Sequence, residues 1–203
     1  MILSIIIITF IVSVYAFNEN NIMAKLQFNA YRIVHHNEWY RVFSHALLHG
    51  SWMHLIINML VLYSFGEFVL SVFKHEFVFM NHNLLFILYY VFAVAIASIY
   101  SLAKHRNNVY YNAVGASGAI SAVVFTAIFF EPYQKILFFG VLPIPGIIFG
   151  LLYLGYSYYM SKKELDNVGH DAHFYGALFG FLFPIMLKPS LLIFFINRII
   201  QLQ

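Results

Sequence analysis

The stretch WMHLIINMLVLYSFGEFVLSVF, residues 52–73, is long and apolar enough to cross a bilayer, yet it carries His54, Asn58 and Glu67. A hydrocarbon core of about 30 Å takes roughly 20 apolar residues per helical crossing. Polar and ionisable groups inside such a run are costly and need a reason. The whole chain reads the same way. Of its 203 residues, 62% are hydrophobic and only 9% charged, against about 25% charged in soluble domains. Mean hydropathy is +0.79. A soluble domain and a disordered chain are both excluded, since one could not hide this much apolar surface and the other would not contain it. The net charge of +3 and pI near 9.0 suit membrane flanks, not a nucleic-acid footprint. The chain has no cysteine, which removes disulfides, thiol catalysis and Cys-based metal sites.

Working outward from residues 52–73, five further apolar segments have spanning length: 1–17, 84–102, 113–130, 139–160 and 169–187. These boundaries predict an all-α membrane protein with six transmembrane helices. They leave no room for a soluble domain, so residues 1–203 form one membrane domain. No basic region precedes the apolar run 1–17, so it is expected to stay as a span rather than be removed as a signal peptide. Residues 18–51 hold Arg32, Glu38, Trp39 and Arg41, with no glycine before Gly50 and no proline. That composition predicts a structured loop partly embedded in headgroups. Pro143, Pro145 and Gly146 predict a broken or pliable start to the fifth span. The tail from Ser190 could be an interfacial helix or a continuation of the sixth span. No internal repeat of the inverted-repeat transporter kind is present.

Three sets of residues carry candidate chemistry. His54 and Asn58 are four apart, so they share one helix face. Taken alone they read as interhelical hydrogen bonding. Gly115-Ala116-Ser117-Gly118 opens the fourth span. The amides of a first helical turn are unpaired and the dipole is positive there, so an oxyanion beside Ser117 would meet donors already aimed. Taken alone, GASG reads as small-residue packing. His173, Gly176 and Gly180 form one stripe on the sixth span. Gly176-x-x-x-Gly180 lets a neighbouring backbone approach, and the same stripe presents the imidazole. Taken alone, His173 reads as a core histidine. Together the three sets supply a nucleophile, a general base and oxyanion donors, the parts of acyl transfer. Asp171 lies two residues before His173 and faces away, so the pattern is a Ser–His dyad.

At these residues the chain resembles the rhomboid intramembrane serine proteases. The resemblance rests on Trp39 and Arg41, on HALLHGSWMHLIINM (45–59), on GASGAISA (115–122) and on HDAHFYGALFG (170–180), in that order. It implies a six-helix rhomboid-type bundle with Ser117 as nucleophile and His173 as base. His54, Asn58 and the Ser117 backbone amide would hold the oxyanion, and Gly115, Gly118, Gly176, Gly180 and Ser121 would pack around the site. It implies no cofactor and no metal. The implied substrates are single-pass membrane proteins, cut in or beside a helix that unwinds easily. Besides those transmembrane segments, the expected partner is the lipid bilayer, with no nucleic acid. The expected location is multi-pass in a bacterial inner (plasma) membrane. The implied topology puts the N-terminus in the cytoplasm. Lys25, Arg32, Arg41, Lys104, Arg106, Lys162 and Lys163 then lie outside, against Lys74, Lys135, Lys188 and Arg198 inside. The positive-inside rule favours the reverse.

The sequence departs from the family pattern in places. Many members carry Tyr four residues after the nucleophile, stacked beneath the histidine. Ser121 stands there, so either its hydroxyl bonds the imidazole or a neighbouring Phe fills the gap. Tyr175 takes a position often held by Gly, and its ring must turn toward lipid or a loop. Leu70 stands where some relatives have Glu, with Glu67 nearby. The polar cluster of His45, His49, Ser51, His54 and Asn112 could conduct water to the site, and for His45 and His49 a structural role in the first loop is the stronger reading. Two rivals remain. One is a catalytically inactive rhomboid-like protein that binds or escorts transmembrane helices. The other is a metal transporter or metalloprotease, suggested by ten histidines but lacking HExxH, cysteine and an intramembrane acidic pair.

Overall fold

The computed structural model describes residues 1–138, 140–163 and 168–200. Helix α1 (Ile2–Asn18) leads into three short helices, α2 (Asn20–Leu26), α3 (Ala30–His36) and α4 (Arg41–Ser44), and a 3₁₀ turn at His45–Leu47. The long helices α5 (Trp52–Glu76), α6 (His82–His105), α7 (Ser117–Phe130), α8 (Gly146–Lys163) and α9 (His170–Leu187) follow, then α10 (Leu191–Ile200). Side chains cap several starts. Asn29 accepts from the Arg32 amide at 2.8 Å, Ser51 from the His54 amide at 3.2 Å, and Asn81 from the Leu84 amide at 3.1 Å. Each satisfies an amide the helix itself leaves open.

Six of these helices, α1 and α5 to α9, fall on the six apolar segments. Two of them, α5 and α6, are long and apolar enough to cross a membrane alone. A third candidate joins α9 to α10, but the chain bends by 117° between them. The tail is therefore a separate helix, not an extension of α9. Its Phe194 and Phe195 pack on Phe130 and Phe129, and Arg198 donates to Glu131 at 2.8 Å.

Where a fifth helix was expected to start at 139, the chain forms a two-stranded hairpin, β1 (Lys135–Phe138) and β2 (Leu142–Pro145). Proline has no amide to continue a helix, and Pro143 and Pro145 hold the chain extended until Gly146. Phe139 itself lies outside the described residues, as do 164–167 of the loop after α8.

Helix α7 is the axis of the bundle. From Gly118 to Phe130 every residue is buried, with α5, α6, α8 and α9 around it. A helix apolar on all sides belongs in such a place. Its tightest neighbour is α9. A Cβ built on Gly176 would lie 2.0 Å from the Gly118 carbonyl oxygen, and one on Gly180 2.0 Å from that of Ala122. Both obstacles are backbone, so no rotamer change relieves them. A polar pin lies beside this seam: Tyr89 of α6 meets Thr126 at 2.7 Å, and Thr126 donates to the Gly180 carbonyl at 2.7 Å.

The segment between α1 and α5 is structured, as its composition predicts. Arg41 is 1% exposed. It pairs with Glu38 and donates to the carbonyls of Ala24 at 2.9 Å and Gln27 at 2.8 Å. Arg32 takes the other side of Glu38 at 2.6 Å. The hydrogen bond from Arg32, with that from Arg41, pulls the Glu38 carboxyl down to about 2. Burial pushes His45 down to about 4. Burial and the nearby His54 push His49 down to about 3. Glu67 lies on the exposed face of α5, away from the α7–α9 seam. Tyr175 finds room at the bundle's edge, stacked on Tyr100 at 5.1 Å.

Two outcomes follow. Gly180→Ala should cost at least the 1–3 kcal/mol typical of overpacking, read as a lower thermal midpoint in detergent. Acid should also weaken the fold. An unfolded histidine near 6.5 takes up protons that His45 and His49 refuse, so stability is full above that pH and falls toward pH 4. The depressed Glu38 adds a loss between its ordinary 4.5 and about 2. In Glu38→Gln the thermal midpoint should lose that second, lower-pH component and keep the first.

Candidate active site

Ser117 is the first residue of α7, and the chain enters it through Gly115 at φ +125°. That backbone conformation favours glycine. A Cβ there would also meet the His54 ring at 2.8 Å. Gly115 therefore does two things: it turns the chain into the helix and lets the His54 imidazole lie against the turn. The Gly115 amide donates to the His45 carbonyl at 3.0 Å, which fastens this turn to the structured first loop. The first helical bond runs from the Ile120 amide to the Ala116 carbonyl at 2.9 Å. The amides of Ser117, Gly118 and Ala119 thus stand at the open end of α7.

His173 lies in the first turn of α9, its amide bonded to the Gly169 carbonyl at 3.0 Å. The close seam brings the two helix starts together, and His173 Nε2 lies 2.7 Å from Ser117 Oγ. Gly118 faces the same seam, and a Cβ on it would lie 2.7 Å from that of Ala97 and 3.2 Å from the Ala172 carbonyl oxygen. Asp171 does not join the pair. It is buried, its Oδ2 accepting from Ser101 at 2.8 Å and its Oδ1 from the Ala172 amide at 2.8 Å.

His54 and Asn58 border the same cavity as Ser117 and His173, a volume of about 1210 Å³ that reaches up to Gln27, Asn108 and Asn112. Asn58 is buried and donates one Nδ2 proton to the His54 carbonyl at 2.8 Å. A carboxamide nitrogen has two protons, so one remains. The Gly50 amide faces His54 Nδ1 at a long 3.5 Å. With Nδ1 as acceptor, the neutral ring carries its proton on Nε2, the nitrogen nearer Gly115. Of the five residues expected to conduct water, His45, His54 and Asn112 line this cavity. His49 and Ser51 do not. His49 is fully buried and held by Ser13 of α1 at 3.0 Å. The arrangement offers a hydroxyl, a base beside it and donors around it, inside a cavity large enough to hold a peptide segment and water.

The support of His173 differs from both expectations. The Ser121 hydroxyl does not bond the imidazole. It donates to the Ser117 carbonyl at 2.8 Å and lies 2.6 Å from the Tyr153 hydroxyl. Two rings lie against His173 and neither is a Phe: Tyr153 of α8, stacked at 6.1 Å between centroids and 27° between planes, and His170 of the same helix, edge-on at 5.9 Å. The sequence held one signal for this residue. A tyrosine buried within an apolar helix usually finds a partner for its hydroxyl, although α8 offers four such rings and composition does not choose among them.

A protein-family model described as the Rhomboid domain matches residues 36–190. A curated relative, the RHOMBOID-like protein 12, mitochondrial, of Arabidopsis thaliana, is 23% identical over 169 residues, which cover 79% of this chain and 48% of the relative. The chain thus spans about half the length of that relative. The matched residues include every side chain placed above around Ser117 except His49's partner Ser13 and the loop contact Gln27. Because the family model covers well over half of the chain, the protein belongs to the rhomboid family.

Proposed function

We propose that this chain is an intramembrane serine endopeptidase that hydrolyses a peptide bond in or beside the transmembrane helix of single-pass membrane proteins. The observation that carries the reading is the 2.7 Å contact between Ser117 Oγ and His173 Nε2 at the open end of a helix, inside a cavity. Residues 1–203 act as one membrane domain whose six main helices, the short α7 at their centre, are embedded in the bilayer. The mitochondrial name of the relative lends no support to a bacterial inner membrane. The reading is therefore of an integral membrane enzyme.

Ser117 Oγ–H donates to neutral His173 Nε2. As Oγ attacks the peptide carbonyl, the proton passes to the imidazole. The carbonyl oxygen becomes an oxyanion, held by the Ser117 amide, the second Nδ2 proton of Asn58 and His54 Nε2–H. Such donors cost no reorganisation at the moment of reaction, and a low dielectric strengthens them. His173 then gives its proton to the leaving amine, and water from the cavity hydrolyses the acyl-enzyme by the same relay. Substrate must present extended backbone at Ser117, so a helix that unwinds easily near its end fits the site.

Co-expression with a tagged single-pass substrate tests this. Ser117→Ala should abolish cleavage and labelling by a fluorophosphonate, whereas a family member that only escorts helices would show neither in wild type. Asn58→Ala should lower turnover by about 10²–10³ while leaving the label on Ser117. Cleavage should also fall as pH drops from 8 to 5 and the base takes up a proton. The loop histidines His45 and His49 stay neutral down to about 4 and 3, so that limb is not theirs. A flat profile would remove His173 from the base's role.

A further inference from the structure

Resting on the reading of Ser117 and His173 as the reacting pair, we propose that Tyr153 of α8, fixed by Ser121, is the positioning residue of the base. It thereby ties the competence of the site to the docking of α8. Three contacts argue for it. The Tyr153 ring lies nearly parallel to the His173 imidazole, 6.1 Å between centroids and 27° between planes. Its hydroxyl is 2.6 Å from Ser121 Oγ, and Ser121 Oγ is 2.8 Å from the Ser117 carbonyl oxygen.

Proton counting fixes the direction of the chain. A serine hydroxyl has a single proton, and the carbonyl oxygen can only accept. Ser121 therefore donates to Ser117, and Tyr153 donates to Ser121. One tyrosine thus touches both halves of the dyad: its face restrains the imidazole, and its hydroxyl reaches the backbone of the nucleophile through one relay. Phe149 and Phe125 stack and tilt against the same ring at 5.8 and 5.7 Å, which leaves it little freedom to swing.

The geometry splits a support across two helices. Ser121 lies on α7, which is buried from Gly118 onward, and α7 and α9 meet backbone to backbone. Tyr153 lies on α8, which presents residues such as Leu151, Leu152 and Tyr156 to the outside. Displacement of α8 from the bundle would carry the ring away from His173 while leaving Ser117 and His173 on their own rigid seam. The dyad would remain in contact but lose the ring stacked on the imidazole plane, with the His170 ring of α9 left edge-on against it.

The test uses the full chain in detergent and a fluorophosphonate as probe, with the inactivation rate constant separated from the probe's affinity. Tyr153→Phe keeps the ring and should label within a few-fold of wild type. Tyr153→Ala should lower the inactivation rate constant by roughly 10- to 100-fold, the scale of a small misplacement of a reacting group, with affinity unchanged. Ser121→Tyr combined with Tyr153→Ala places a ring beneath the imidazole from α7 instead and should recover most of the loss. A thermal midpoint for each variant shows that it is folded. The proposal is overturned if Tyr153→Ala labels as fast as wild type, if its loss is in affinity, or if the folded double variant labels no faster than Tyr153→Ala. If wild type itself neither labels at Ser117 nor cleaves, the functional reading falls and this inference with it. If wild type labels and Tyr153→Ala is indifferent, the positioning role alone falls.

Discussion

The approach of α9 to α7 sets everything else at the site. Two glycines, 176 and 180, put the backbone of one helix against carbonyls of the other, with no space for even a methyl group between them. In lipid there is little hydrophobic gain from joining two apolar helices, so close packing and interhelical hydrogen bonds must hold them. The Thr126 hydroxyl on the Gly180 carbonyl supplies such a bond two turns below the dyad. With the seam fixed there, the distance between Ser117 and His173 follows from helix geometry, and neither side chain has to search for the other.

Other parts of the molecule serve to frame the ends of that seam. The loop of α2, α3 and α4 is locked by Arg41, whose buried guanidinium bonds to Glu38 and to two carbonyls. The His45 carbonyl takes the Gly115 amide, and His54 enters the gap that Gly115 leaves. A charged cluster at the surface is thus linked in two steps to the turn that carries Ser117. Rhomboid membership accounts for the order of these pieces, and the contacts account for why each residue type is needed where it stands.

Much of this was legible in the sequence because membrane helices obey simple rules. Six apolar runs fall on six helices, five of them to within four residues at each end and the fifth starting seven residues late, and the H-x-x-x-N, G-x-S-G and A-H-x-x-G-x-x-x-G patterns named side chains that the fold brings around one cavity. What stayed hidden was tertiary. Hydropathy cannot distinguish a helix start from a hairpin of similar composition, so residues 140–145, read as the start of the fifth span, belong to a hairpin instead. It cannot show that Leu191–Ile200 turns away from α9, since both are equally apolar. Nor can it show which aromatic, among so many, faces His173. Ser121 advertised a missing ring, but the replacement comes from α8, 32 positions away, and only packing chooses among the candidates.

Helix α7 has 14 residues, about 21 Å at 1.5 Å per residue, well short of a hydrocarbon core of about 30 Å. The cavity opens around its first turn at Ser117 and is bordered further along the helix by Val124 and Phe125. Beneath them Phe129 and Phe130 are closed in by Phe181, Phe194 and Phe195. The open space that begins at Ser117 therefore ends along α7 at Val124 and Phe125, with packed rings beneath it. Water admitted at Ser117 would thus meet a plug of stacked and tilted aromatic rings at the helix's far end.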